Sequence, residues 1–226
     1  MLYRRHLRIK VLQALYSWYS GNNAGLPSGE KQLFQSIDKL YELFIYQLSF
    51  LLEVKDFALA RMELNKKKYY PTEDDLNPNK KFVRNQALKL LEENKDFQKK
   101  VVLFKVNWKQ EQDMILKFYK LLRDADFYRE YLAATHTSLE EDKKFLIKVV
   151  DRLMTDFDLL KSYYEEKSVY FSEGYDLEGV LLIKFFDGIS LKFNSETALP
   201  GIYSTSGQKV NDDKIFVQKL YRKVIL

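Results

Sequence analysis

The sequence contains few residues that break a helix. Only eight glycines and four prolines occur in 226 residues, whereas chains built of strands and tight turns use both residue types far more often. Apolar residues recur at intervals of three and four, which is the spacing of one face of a helix. In the first segment these residues are Leu7, Val11, Leu12 and Leu15. We therefore predict an all-α fold, a multi-helix bundle.

The breaks in this spacing predict where helices begin and end. A first helix runs from Leu2 to about Ser20, and the Gly- and Asn-rich stretch 21–29 interrupts it. Residues 30–70 form either one long helix or two joined at a kink, and residues 71–81 form a linker. Four more helices are expected before a loop at 199–209, at about residues 88–101, 114–131, 138–160 and 175–189.

Two helix starts carry capping signals. Ser138 followed by Glu141 fits a capping box, in which each side chain satisfies a free backbone N–H group. Asp212 or Asp213 is expected to cap the last helix, which carries an apolar pattern up to the final residues.

Positive charge is concentrated at the beginning of the chain. The net charge is +5, and Arg4, Arg5, Arg8 and Lys10 lie in the first ten residues, with no acidic residue before Glu30. Helical spacing places Arg4 and Arg8 one turn apart on one face and Arg5 on a neighbouring face. A guanidinium binds phosphate through paired hydrogen bonds and stacks on bases. This end is predicted to bind a polyanion, and RNA or an acidic protein surface would both fit its charge.

The aromatic residues separate into two groups. Most of the 16 Tyr and 16 Phe follow helical spacing, which is typical of core packing. Tyr16 and Trp18 lie on the same helix as the arginines. They are the aromatic side chains expected to share a surface with the cations and to stack on a single-stranded base.

The side chains that most enzymes use are missing or isolated. The sequence has no Cys and only two His, and it has no glycine-rich phosphate loop. Glu140, Glu141 and Asp142 fit the solvated first turn of a helix. We therefore expect no catalytic residue, no metal site and no cofactor; a helical hydrolase or transferase would need acids from several helices in one pocket. Membrane binding is not expected either, because no stretch approaches the roughly 18 to 20 apolar residues that span a bilayer.

One segment resembles a known family. Residues 4–18 read RRHLRIKVLQALYSW, which resembles the opening helix of the transcription antitermination factor NusB family. That family begins with an arginine-rich stretch followed by Gln-Ala-Leu-Tyr and often Ser-Trp, as found here from Gln13 to Trp18. Near the other end, Asp213 followed by Phe216 and Leu220 is similar to the start of the family's third helix.

The resemblance implies a division of the chain. Residues 1–22 would be the first helix of a NusB-like N-terminal subdomain, and residues 211–226 would start its next helix. Residues 23–210 look like the long helical insertion of one subset of the family. The motifs Asn-Glu-x-Ile-x-Leu-Ala-Lys and Phe-x-Asn-Gly-x-Leu-Asp of the family's C-terminal subdomain do not occur. The chain is therefore expected to correspond to an N-terminal portion without that subdomain.

The resemblance also implies a function. NusB-type proteins are noncatalytic and cytoplasmic; with the small-subunit ribosomal protein NusE they bind single-stranded boxA RNA and join the antitermination complex on RNA polymerase, chiefly in ribosomal RNA transcription. Carried over by position, Arg4, Arg5 and Arg8 fall on the family's arginine motif and Tyr16 on its RNA-side tyrosine. His6 stands where the family often has another Arg. The alternative is a helical protein-interaction scaffold that does not bind RNA itself.

Overall fold

The computed structural model describes residues 4–21, 25–203 and 207–226. Within them the chain forms helices and loops and no strand, which confirms the all-α prediction. None of these helices combines the length and the apolarity needed to cross a bilayer. The helices are α1 (Arg4–Ser20), α2 (Leu26–Lys66), α3 (Glu73–Leu76), α4 (Gln86–Glu92), α5 (Lys95–Leu103), α6 (Gln112–Asp124), α7 (Asp126–Ala133), α8 (Leu139–Val149), α9 (Asp158–Lys167), α10 (Val169–Ser172), α11 (Tyr175–Gly188) and α12 (Gly207–Ile225), with a π-helical turn (Val150–Met154) after α8.

Helix α2 lies at the centre of the fold. Its 41 residues extend about 60 Å at 1.5 Å per residue, and the helix is continuous, so the one-helix alternative is correct. It begins at Leu26 rather than Glu30, with Pro27 in the first turn, where proline is favourable. Every side chain from Leu43 to Leu48 is buried. A helix that is buried on all sides must be surrounded by others, and α1, α5, α6, α10, α11 and α12 pack against α2.

Three of the predicted helices are each divided in two. The helix expected at 88–101 is α4 followed by α5, and Asn94 starts α5 by accepting a 2.8 Å hydrogen bond from the N–H of Phe97. The helix expected at 114–131 breaks at Ala125, whose backbone is extended. The helix expected at 138–160 passes into the π-helical turn and ends before Phe157. None of these breaks contains Gly or Pro, so the breaker signals missed them.

The predicted caps had mixed outcomes. Ser138 starts α8 as predicted, since its Oγ accepts from the N–H of Glu141 at 3.2 Å. The second hydrogen bond of the predicted capping box, from the Ser138 N–H to the Glu141 side chain, is not formed among the described residues. The prediction that Asp212 or Asp213 caps the last helix is wrong, because α12 already begins at Gly207. The loop expected at 199–209 is correspondingly shorter. The linker at 71–81 contains the short helix α3, which Thr72 caps. Leu2 and residues 22–24, where a helix start and a break were predicted, lie outside the described residues.

Asp142 is buried, although a solvated first turn was predicted for it. Its carboxylate accepts hydrogen bonds of 2.6 Å from the Tyr131 hydroxyl and from the Gln86 N–H. The Asn85 side chain donates to the Asp142 carbonyl at 3.3 Å. A buried carboxylate needs such partners to offset its lost hydration. Asp142 therefore joins α8 to α4 and α7, while Glu140 is exposed as expected.

Helix α12 returns to the first helices. Arg222 forms an ion pair with Glu30 near the start of α2, with a second hydrogen bond of 2.9 Å to the other carboxylate oxygen. Together these contacts lower the pKa of Glu30. The ring of Tyr221 packs edge-on against Trp18, with centroids 6.5 Å apart. α1, α2 and α12 thus form one packed unit that brings the two ends of the chain together.

Candidate nucleic-acid interface

Helix α1 has a buried face and an exposed face. Leu7, Val11 and Leu15 pack into the core, which leaves Arg4, Arg5 and Arg8 exposed at the beginning of the helix. The described part of α1 contains no acidic residue. The exposed positive charge of this helix is therefore not neutralised within the helix itself.

Phe216 on α12 holds two of the three arginines. The guanidinium carbon of Arg4 lies 5.2 Å from the centre of the Phe216 ring, and that of Arg8 lies 5.7 Å from it. The Arg4 Nε also approaches a carboxylate oxygen of Asp213 at 3.5 Å. A guanidinium that lies over an aromatic ring keeps its N–H edges available for an anion. Arg4 and Arg8 are thus held side by side, and Phe216 and Asp213 connect them to α12.

Arg5 belongs to a second cationic group. Partial burial lowers the pKa of His6, and the positive charges of Lys184 and Arg5 lower it further. His6 is therefore neutral at pH 7, where one ring nitrogen donates and the other accepts a hydrogen bond. The effect of Lys184 on His6 indicates that α11 lies close to the beginning of α1, but the Lys184 ammonium itself is buried.

Tyr16 lies at the other end of α1. Its side chain is 75% exposed, and it lines an open groove with Leu12, Gln13 and Glu173. Tyr16 follows Arg5 by eleven residues, or three turns, so the two side chains lie about 20° apart around the helix and about 16 Å apart along it. Arg5 and Tyr16 share one face, whereas Arg4 and Arg8 face α12.

Two residues of α1, Trp18 and Lys10, do not belong to this exposed surface. Trp18, which was expected near the cations on a shared surface, packs against Tyr221 in the α1–α12 contact. Lys10 is only 1% exposed, and its ammonium lies 3.8 Å from a carboxylate oxygen of Glu173. Burial lowers the pKa of Lys10, and Glu173 and Glu178 oppose that shift. Lys10 is therefore not available to a ligand from solution.

Two residues at this interface were missed from the sequence. Phe216 followed the apolar spacing of the last helix, and that spacing alone did not distinguish a core residue from a platform for arginines. Lys184 stands in an apolar stretch far along the chain, and no motif connects it with α1. Both contacts depend on how helices pack, so no local signal indicates them.

Comparison with known proteins found no family model, no curated protein and no solved structure that matches this chain. Among residues 4–21, 25–203 and 207–226, no group of three or more His, Asp or Glu side chains is arranged to hold a metal ion.

Proposed function

We propose that the chain is a noncatalytic RNA-binding protein of the NusB type, which contacts single-stranded RNA through Arg4, Arg5, Arg8 and Tyr16. The observation that carries this proposal is the placement of three exposed arginines at one end of an acid-free helix, two of them lying over Phe216. Such an arrangement fits a sugar–phosphate backbone, because phosphate binding by arginine depends on a guanidinium held in place.

The arginines and the tyrosine have different parts in this proposal. Each phosphate contact to a single strand contributes about −0.7 to the slope of log K against log salt, so three arginines give a slope of about −2. Tyr16 stacks on an unpaired base, an interaction worth about 1 to 3 kcal/mol that depends little on salt. His6 adds a neutral hydrogen-bonding group at pH 7 and becomes a further cation in acid.

The NusB-like opening helix supports a biological setting for this binding. We propose that the RNA is a boxA-like element, that a NusE-type ribosomal protein binds alongside it, and that the complex acts with RNA polymerase in ribosomal RNA transcription in the cytoplasm. The division into residues 1–22, 23–210 and 211–226 remains a prediction. In this proposal the helices of residues 23–210 pack against α1 and α12 and hold them in position.

Fluorescence anisotropy with a labelled boxA-like RNA and a scrambled control tests the proposal. Wild-type protein is titrated at several salt concentrations, with and without the NusE-type protein. Arg5→Ala should weaken binding and reduce the salt slope by about 0.7. Tyr16→Ala should weaken binding with little change in slope. Lys161→Ala, at an exposed cation on α9, is the matched control. If Arg5→Ala leaves both affinity and slope unchanged, the proposed interface is wrong.

One observation favours a protein partner instead. Ile9, Leu12, Tyr16 and Tyr19 are exposed and follow each other at intervals of three and four along α1, the spacing of a seam that packs against another helix. A scaffold of this kind would bind a helical partner along the seam. Leu12→Glu would then abolish partner binding, while RNA binding, if present, would lose little more than the effect of one added negative charge.

A further inference from the structure

The groove beside Tyr16 combines an exposed aromatic ring with polar side chains. It lies between α1 and the link from α10 to α11, and its volume of about 710 Å³ falls in the range of small-molecule sites. On the α1 side, residues three and four positions apart line it with their side chains, namely Gln13, Tyr16, Ser17 and Ser20. Glu173 lines it from the link. This surface, which we call the Tyr16 groove, therefore offers a platform for stacking and groups for hydrogen bonding.

Glu173 carries the charge of the Tyr16 groove. The other described residues that line the groove are neutral. The Glu173 side chain is 39% exposed, and the buried Lys10 ammonium lies 3.8 Å from one of its carboxylate oxygens. This distance is longer than that of an N–H···O hydrogen bond, so the ammonium does not occupy the lone pairs of the carboxylate. The carboxylate is thus partly neutralised by Lys10 and can still accept hydrogen bonds from a ligand.

The charges around Glu173 restrict the kind of ligand that fits. A phosphate group would be repelled by the carboxylate. A cationic group would be repelled by Lys10 beside the carboxylate, and Arg5 and Arg8 add exposed positive charge on the same helix. A neutral group with N–H donors meets neither penalty, because an ionised carboxylate only accepts hydrogen bonds. The groove therefore suits a flat, neutral group that has N–H donors along one edge.

An unpaired RNA base has this composition. Bases of a single strand stack on aromatic side chains, and their Watson–Crick edges are recognised by hydrogen bonds. Guanine presents two adjacent donors on that edge, N1–H and the N2 amine, which match the two oxygens of a carboxylate. Adenine and cytosine each present one amine beside a ring nitrogen that accepts, and the single N–H of uracil lies between two carbonyls. A carboxylate therefore favours guanine over the other three bases.

We infer that the Tyr16 groove is a guanine site, in which the base stacks on Tyr16 and donates hydrogen bonds from N1–H and N2–H to Glu173. This inference rests on the proposed RNA binding and deepens it. Contacts between the three arginines and phosphates depend little on sequence, whereas Glu173 reads one base. Gln13, Ser17 and Ser20 can each donate or accept, so they accommodate the rest of the base without selecting it.

A base scan of the boxA-like RNA tests this inference on the wild-type protein. Each position in turn carries guanine, inosine or adenine, and fluorescence anisotropy measures the affinity. One position should favour guanine over adenine by about 5- to 150-fold, the discrimination expected of a paired hydrogen-bond contact to a base. Inosine lacks only the N2 amine of guanine, so its affinity at that position should be intermediate.

Glu173→Gln tests whether Glu173 causes this preference. An amide both donates and accepts, so it pairs with the edge of guanine or of adenine, and the preference should disappear. The slope of log K against log salt should not change, because no phosphate contact is removed. Glu166→Gln, which changes an exposed carboxylate on α9, is the matched control and should keep the preference. Thermal unfolding of each variant checks that the fold is retained.

Tyr16→Ala is a second variant that leaves Glu173 and Lys10 in place. Tyr16 is 75% exposed, so its removal leaves the core unchanged. Without the ring, the base is no longer held against Glu173, and the preference for guanine should fall together with the affinity. If the preference persists in full in Tyr16→Ala, the base is not bound in the Tyr16 groove.

The outcomes distinguish failure of this inference from failure of the proposed function. If wild-type protein does not bind the RNA, both fail. If wild type binds and Arg5→Ala weakens binding, but no position favours guanine, RNA binding stands and the guanine site is wrong. The site is also wrong if Glu173→Gln strengthens binding to every RNA equally, since Glu173 then acts only by repelling phosphate. If Glu173→Gln keeps the preference and abolishes binding of the NusE-type protein, the groove belongs to a protein partner.

Discussion

Replacing Glu178 with Gln should stabilise the protein at neutral and alkaline pH. Glu178 on α11 is completely buried, and neither of its carboxylate oxygens has a hydrogen-bond partner among the residues that the structure describes. Burial raises the pKa of Glu178 well above its usual range, and the charge of Lys10 only partly opposes this shift. A buried acceptor without a partner costs about 1 to 3 kcal/mol, and an ionised one costs more. Gln removes the ionisation with almost no change in volume.

The effect should depend on pH with a definite sign. Because the pKa of Glu178 is raised in the folded state, the folded protein binds this proton more tightly than the unfolded chain does. The stability that comes from this carboxyl group is fully present below its unfolded pKa of about 4.3 and is lost as pH rises toward the folded pKa. Wild type and Glu178→Gln should therefore differ little at about pH 4. Between the unfolded and the folded pKa, the variant should gain about 1.4 kcal/mol of stability over wild type for each unit by which the pH rises.

Urea unfolding followed by the fluorescence of Trp18 and Trp108 measures this difference at a series of pH values. Glu166→Gln is the matched control, because Glu166 is an exposed carboxylate on α9; we expect a change in the free energy of unfolding within about 0.5 kcal/mol. The opposite result for Glu178 would refute the reasoning. If Glu178 and Lys10 are a tight ion pair, breaking that pair should destabilise the protein by about 3 to 5 kcal/mol at pH 7.

Three further substitutions test the packing, each by urea unfolding at pH 7. Gly29→Ala should destabilise by about 1 to 3 kcal/mol, since its new methyl group would collide with the buried Tyr221 hydroxyl; an unchanged midpoint would contradict the close approach of α12 to α2. Tyr131→Phe should lower the free energy of unfolding by about 1 to 3 kcal/mol, because the Asp142 carboxylate loses the hydrogen bond from the Tyr131 hydroxyl. An unchanged free energy of unfolding would show that Asp142 finds another donor. Asn94→Ala should lower the free energy of unfolding by about 2 to 4 kcal/mol, because the Asn94 side chain caps α5 and donates hydrogen bonds to the carbonyls of Asn194 and Thr197. A loss below about 1 kcal/mol would mean that the loop at 194–197 is held by other contacts.

Sequence spacing predicted the elements that depend on local pattern. It predicted the fold class, α1 and the long α2, because apolar residues at threes and fours and a scarcity of Gly and Pro act within one helix. It missed the break at Ala125, where the backbone is extended although neither Gly nor Pro is present. The Asn94 side chain donates hydrogen bonds to the carbonyls of Asn194 and Thr197, which lie about 100 positions further along the chain, and no local pattern indicates such a contact.

The same spacing could not separate buried charges from exposed ones. Lys10 stands among arginines in the sequence, yet α1 turns it toward Glu173 and Glu178. Asp142 stands beside two other acids, yet its carboxylate accepts from Tyr131 and from the Gln86 backbone. A charged side chain is buried only when partners from other elements offset its lost hydration, and the positions of those partners are properties of the tertiary fold.

The positions of Arg4 and Arg8 at the interface depend on how α12 packs against α1. Arg4 and Arg8 both lie over Phe216, and α12 is fixed to the start of α2 by the pair between Arg222 and Glu30. A helix N-terminus with exposed arginines would otherwise leave those side chains free to adopt many rotamers, and binding would have to order them at an entropic cost. α12 holds these side chains in place before binding. If the ion pair between Arg222 and Glu30 is lost, Phe216 should shift and Arg4 and Arg8 should lose their fixed positions. The basic surface is therefore formed by residues of α1 and of α12 together. For this reason the first ten residues of the sequence alone do not define it.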